Sequence, residues 1–204
     1  MAEGLFFLFE KRFTGQGQTA GDRLIESLFA SATARTAGFN SVSVSGMGSA
    51  SKLLTIFLMF VGGSPGSTAG GVKTTTMAVL LLSCISSVRG GRRPSVFGRS
   101  IADGTVKKAT HIFFLNLSLA VTAAIVLCAL QPLEAIDALF ETVSAVSTVG
   151  MTAGITGSLH PVSACVIILL MFIGRVGSVS FAVALMEKHK RPPVTDPTAD
   201  IMVG

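Results

Sequence analysis

The chain has 204 residues, half of them hydrophobic and only 13% charged, with a mean hydropathy of +0.68 and a formal charge of +5. A soluble domain carries about 25% charged residues, and a disordered chain is poor in apolar ones, so neither class fits. A basic balance in a soluble protein would suggest nucleic acid; here no nucleic-acid partner is expected, because the positive charge has another explanation. Cys84, Cys128 and Cys165 lie in apolar runs without ligand spacing, so neither disulfides nor a metal centre is expected.

A helix needs about 20 apolar residues to cross the hydrocarbon core. In chain order, residues 1–9 are apolar but too short to cross, and no signal-peptide pattern precedes them. They read as the end of a truncated opening span. The segment 22–34 is short, amphipathic and rich in Ser, Thr and Ala. It leads into Thr36-Ala37-Gly38-Phe39-Asn40. An apolar stretch follows over 52–88, interrupted at 62–71 by five glycines and Pro65. Such a run cannot continue a stable helix and is expected to unwind within the membrane. Residues 109–130 form an uninterrupted span. A second short segment, 134–146, leads into Thr148-Val149-Gly150 and the stretch 148–152. A last span, 161–186, contains Arg175.

Nine of the sixteen basic residues lie in 89–108 and 187–204. By the positive-inside rule these segments face the cytoplasm, and 10–50 and 131–160 face outside. The charge is mainly a topology signal.

An internal repeat organises the chain. Leu58-Met59-Phe60-Val61-Gly62 matches Leu170-Met171-Phe172-Ile173-Gly174 at an offset of 112, and the same offset places Thr36 on Thr148 and Gly38 on Gly150. The expected fold class is an all-α integral membrane protein built of span–pore loop–span repeats. Irregular backbone at membrane depth is tolerated only inside protein or along a water-filled cavity. Carbonyls turned to one axis replace the hydration shell of potassium. Thr36, Ala37, Gly38, Thr148, Val149 and Gly150 are therefore the candidate ion-binding residues. The bland alternative makes Gly38 and Gly150 helix C-caps. The segment containing Gly62, Gly63, Ser64, Gly66, Gly70 and Gly71 is a candidate gate, or a structural kink, or a helix-packing stripe. Arg175 aligns with Gly63 at the repeat offset, so its charge faces the break. A central arginine is expensive in a membrane and marks a pathway or a carbonyl-capping role. Lys73 is a candidate support for the gate and can snorkel.

Two soluble-enzyme patterns also occur. Gly62-Gly63-Ser64-Pro65-Gly66 satisfies the nucleophile elbow, which leaves an intramembrane serine hydrolase using Ser64 as an alternative function. The run from Gly66 through Gly71-Val72-Lys73-Thr74 falls short of a phosphate loop because Val72 separates Gly from Lys. A non-conducting truncated product is the third reading. An enzyme is not expected.

The residues Thr33-Ala34-Arg35-Thr36-Ala37-Gly38-Phe39-Asn40, the run 62–73, Phe140-Glu141 with Ser147-Thr148-Val149-Gly150, and Gly174-Arg175-Val176-Gly177 resemble the Trk/Ktr/HKT superfamily of cation transporters. The glycine run and the final Ile201-Met202-Val203-Gly204 are most similar to the Ktr-type membrane subunit. The resemblance implies potassium uptake across the plasma membrane through a four-repeat pore. Residues 1–104 would be the third repeat, with cytoplasmic loop 89–104, and 105–204 the fourth, with the two N-terminal repeats missing. It implies Gly38 and Gly150 as filter glycines, 62–71 as the gating loop and Arg175 as the arginine beneath the filter. It also implies lipid, a homodimer partner and a cytoplasmic nucleotide-binding regulatory ring as partners. Potassium would be the transported ion, with no cofactor bound by the chain. Pore loops would lie outside and the C-terminus in the cytoplasm.

Overall fold

The computed structural model describes residues 20–39, 44–66, 70–89, 95–96 and 99–177. The opening apolar run, Asn40, the tip 67–69 of the glycine run, Arg92, Arg93, and everything from 178 onward lie outside the described residues. That includes the end of the span expected over 161–186 and the whole tail.

Six α-helices carry the structure among the described residues. They are α1 (Ala20–Thr33), α2 (Ser49–Phe60), α3 (Thr74–Val88), α4 (Asp103–Leu130), α5 (Ala135–Val146) and α6 (Pro161–Val176). A two-residue pairing of β1 (Ser95–Val96) with β2 (Arg99–Ser100) is antiparallel and links α3 to α4. The apolar stretch 52–88 is two helices separated at 61–73.

At 28 residues α4 is about 42 Å long, enough to cross a membrane. It begins six residues before the span expected from hydropathy alone. Asp103 in its first turn complements the helix dipole, which lets the polar stretch 103–108 stay helical. Its buried stripe is Ala109, Asn116, Ala120, Ala123, Ala124 and Leu127, mostly small residues at helical spacing. Its opposite face exposes Phe114, Leu117, Val121 and Ile125. Small residues inward and large apolar residues outward invert the soluble pattern and match helix packing in lipid.

The core sits around α5. Ala138 and every residue from Phe140 to Val146 are buried in it. It packs against α2, α4 and α6. Phe60 at the end of α2 meets Phe113 of α4 edge-on, with ring centroids 5.5 Å apart. The approach of α6 is closer still. Gly174 faces the Val146 carbonyl, and a β-carbon there would collide with that oxygen. His160 caps α6 by accepting the Val162 N–H, and Pro161 fills the first helical position, where no N–H is needed.

One ion pair pins this arrangement. Lys52 Nζ lies 2.6 Å from Asp137 Oδ1, with the side chains 11% and 16% exposed. Asp137 stands in the first turn of α5, where the dipole favours a negative charge. Lys52 stands near the start of α2, where the dipole opposes a positive one, so the lysine depends on its partner. Removing one partner of a buried pair leaves a charge without compensation, at about 3–5 kcal/mol. Lys52→Met is therefore expected to lower the melting temperature of detergent-purified protein sharply, and Lys52→Met with Asp137→Leu to recover most of the loss. Equal melting of the wild type and the single variant would show that the pair contributes nothing.

Candidate functional site at the convergence of the Thr-x-Gly loops

Both short helices end in the same irregular way. Thr36 has φ +70° and Gly38 +72°, while Thr148 has φ +55° and Gly150 +87°. Among the described residues these two threonines are the sole non-glycines with positive φ. A β-branched residue is a genuine outlier there, and the left-handed region costs an L-residue roughly 1–2 kcal/mol. The same strain occurs at two positions 112 residues apart.

Local hydrogen bonds hold each turn. After α1, the N–H groups of Ala37 and Gly38 both donate to the Thr33 carbonyl, and Thr33 Oγ1 donates to the Phe39 carbonyl at 2.6 Å. After α5, Thr148 N–H donates to Ala145 O and Val149 N–H to Ser144 O, while Ser144 Oγ donates to the Met151 carbonyl at 2.6 Å. In each case a hydroxyl from the end of the helix ties down the carbonyl just after the glycine. The bonding after α5 is a Schellman motif with Thr148 in the left-handed position. The helix is thus capped by Thr148. Gly150, two residues on, is not the cap.

The two turns touch. A β-carbon on Gly38 would collide with the Val149 carbonyl oxygen. The glycine run meets both turns as well. Val61 and Val72 form a parallel bridge, Gly62 N–H donates to Val72 O at 2.9 Å, and Thr74 N–H donates to Gly63 O at 3.2 Å. Gly70 N–H donates to Thr148 Oγ1 at 2.9 Å. A β-carbon on Gly70 would lie 2.8 Å from the Thr148 methyl and 3.1 Å from Gly174 O, and one on Gly71 would lie 2.7 Å from Ser147 Oγ. Gly62 faces the Thr36 methyl, 3.8 Å from a β-carbon placed there.

The structure therefore brings together Thr36, Gly38, Thr148, Val149, Gly62, Gly70 and Gly71. Gly66 (φ +86°) and Ser64 lie on the exposed part of the run, and Gly66 has open space around it. Arg175 is in the last turn of α6, next to the Gly174 that Gly70 approaches, and its side chain is exposed. Lys73 is the N-cap residue of α3 and is half-buried. Ser64 is reached from the helix α2, whereas a nucleophile elbow needs a strand before the serine. Among the described residues no cluster of His, Cys, Asp or Glu could hold a metal ion.

The sequence alone did not reveal the Lys52–Asp137 pair; Glu141 and Ser147, which it named within the family motif without a role, are both buried. Their carboxylates, lysine and hydroxyl carried one usable signal. Charged residues almost never become buried without a partner, so Lys52 inside an apolar stretch needed one.

A family model described as TrkH, cation transport protein, matches residues 15–194. The potassium/sodium uptake protein NtpJ of Enterococcus hirae is 40% identical over 192 residues, covering 91% of this chain and 43% of that protein. The Ktr system potassium uptake protein B of Bacillus subtilis is 35% identical over 183 residues, covering 90% and 41%. The chain thus spans less than half the length of these curated relatives. The fold is similar to that of the potassium transporter TrkH from Vibrio parahaemolyticus, with a TM-score of 0.72 at 20% identity over 91% of this chain and 42% of that one. The matched family model covers most of the sequence and the helical fold is shared, so the chain belongs to the TrkH cation transport protein family.

Proposed function

We propose that this chain supplies two of four pore-loop units of a potassium uptake pathway in the plasma membrane. Thr36, Ala37, Gly38, Thr148, Val149 and Gly150 would form half of the selectivity filter. The observation that carries the reading is the pair of strained threonines. Left-handed backbone at a β-branched residue persists only where the surroundings enforce it, and it clusters at functional sites. Here it occurs twice, in two turns that touch. In each turn φ is positive, then not, then positive again. Such alternation lets neighbouring carbonyls face one side, as stripping water from potassium requires. The relatives' names, potassium/sodium uptake and potassium uptake, support the choice of ion.

Two units do not close a ring, and the burial pattern supports further ones. Ile56 and Phe60 of α2 are 7% and 8% exposed, covered by the elements that follow. Their counterparts at the repeat offset, Ile168 and Phe172 of α6, are 64% and 59% exposed. On α5 Phe140 is fully buried, while its counterpart Leu28 on α1 is 39% exposed. The two end faces of this chain are thus the halves of the contact that it makes once internally. Two more units would cover both, and the relatives have the length for them, since this chain covers 43% and 41% of two of them.

The glycine run 62–71 is the proposed gate. It bonds to the filter threonine through Gly70, and glycine backbone permits a change of conformation at low steric cost. Arg175 would oppose cation passage from beside it, with Lys73 as support. The exposed apolar face of α4 suits lipid. The basic segments would face the cytoplasm, where a regulatory ring of nucleotide-binding subunits would dock, and the full subunit would be a homodimer. The chain needs no cofactor for this role and performs no covalent chemistry.

In a full-length transporter containing this sequence, Gly150→Asp is expected to abolish growth rescue of a potassium-uptake-deficient strain at low potassium. A β-carbon at Gly150 meets nothing within 4 Å, so the loss would come from the left-handed backbone and the new carboxylate and not from a packing clash. Undiminished rescue would remove the filter role. Arg175→Ala is expected to raise cation leak in reconstituted vesicles, and wild-type leak would remove the barrier role.

A further inference from the structure

Building on the filter reading above, we propose that Glu141 is a positioning residue that holds the second Thr-x-Gly loop in its ion-selecting shape. Glu141 lies in the middle of α5 and is 5% exposed. A carboxyl group so placed is costly unless it is hydrogen-bonded. Its Oε1 accepts from Thr152 Oγ1, and from Thr156 Oγ1 at 2.9 Å. The two hydroxyl oxygens lie 2.6 Å apart, and Gly154 N–H donates to Thr152 Oγ1 at 2.9 Å.

The cluster ties the backbone that leaves the filter to the helix that enters it. Thr152 is two residues past Gly150, and Thr156 opens the 3-10 turn Thr156–Ser158. With the Ser144–Met151 bond, the segment 151–156 is fastened to α5 at two levels. Both hydroxyls donate to Glu141 Oε1, so this one oxygen accepts twice and draws the two threonine oxygens close together. A carboxylate oxygen has the lone pairs for that.

At the repeat offset Glu141 aligns with Phe29, which is 41% exposed and carries no polar group. The position equivalent to Glu141 is therefore not a carboxylate in the first loop, and loss of Glu141 should relax one quarter of a four-unit filter.

The test measures potassium and sodium uptake in a potassium-uptake-deficient strain expressing the full-length transporter. Glu141→Ala, and Thr152→Val with Thr156→Val, are expected to lower the potassium-to-sodium uptake ratio about tenfold, the size of losing one net hydrogen bond to a charged group. Glu141→Gln keeps an acceptor oxygen and is expected to hold the ratio within about threefold, since neutral bonds are roughly half as strong. A Gln variant as impaired as the Ala variant would overturn the proposal, because charge and not positioning would then be at work. An unchanged ratio in the double Thr variant would also overturn it. That variant decides the matter by itself if Glu141→Ala fails to reach the membrane. Gly150→Asp runs alongside. If it too leaves transport intact, the filter reading falls and this proposal with it. If it abolishes transport while the ratios stay at wild type, the positioning role alone is wrong.

Discussion

The structure depends on glycine backbone approaching its neighbours too closely for a β-carbon to fit. Gly38 meets the Val149 carbonyl, Gly70 the Thr148 side chain, Gly71 Ser147, and Gly174 the Val146 carbonyl. Each contact leaves no room for a β-carbon. Four separated stretches of chain thereby reach one small region, where main-chain carbonyls gather beside the Ser147 and Thr148 hydroxyls. A protein that handles an ion with carbonyl oxygens needs this kind of crowding. Glycine is the one residue that allows it.

That crowding has to be enforced from outside. The enforcement comes from α5, which is buried nearly all round and tied at its start by Lys52–Asp137 and at its end by the Thr148 cap. Strain at Thr36 and Thr148 is stored against this scaffold, in keeping with the rule that sparsely populated backbone survives where neighbours over-determine it. The glycine run is anchored at its two ends, through Val61–Val72 and Gly70–Thr148, while Gly66 between them is open.

Much of this was legible in the residues. The break at 61–73 follows from glycine and proline density, and the long helix α4 from uninterrupted apolarity. The offset of 112 pointed to the two Thr-x-Gly turns, because identical small residues at one spacing need a common cause. Other features were not legible. Hydropathy cannot see that Asp103–Lys108 extends α4, since those turns are largely exposed and gain from Asp103 on the helix dipole and not from burial. The left-handed residue was expected at glycine, and the threonines before it were not expected to share it, because strain is paid for by tertiary contacts that no local pattern encodes. Lys52 reads as a span-end lysine until Asp137, 85 residues away, is seen beside it.

The central claim is that the two strained turns coordinate a permeant cation. The most direct measurement is anomalous scattering from crystals of the full-length transporter soaked in rubidium or thallium salts. The account predicts peaks on the axis faced by the carbonyls of 36–38 and 148–150. Peaks elsewhere along the protein, with none between those turns, would contradict it.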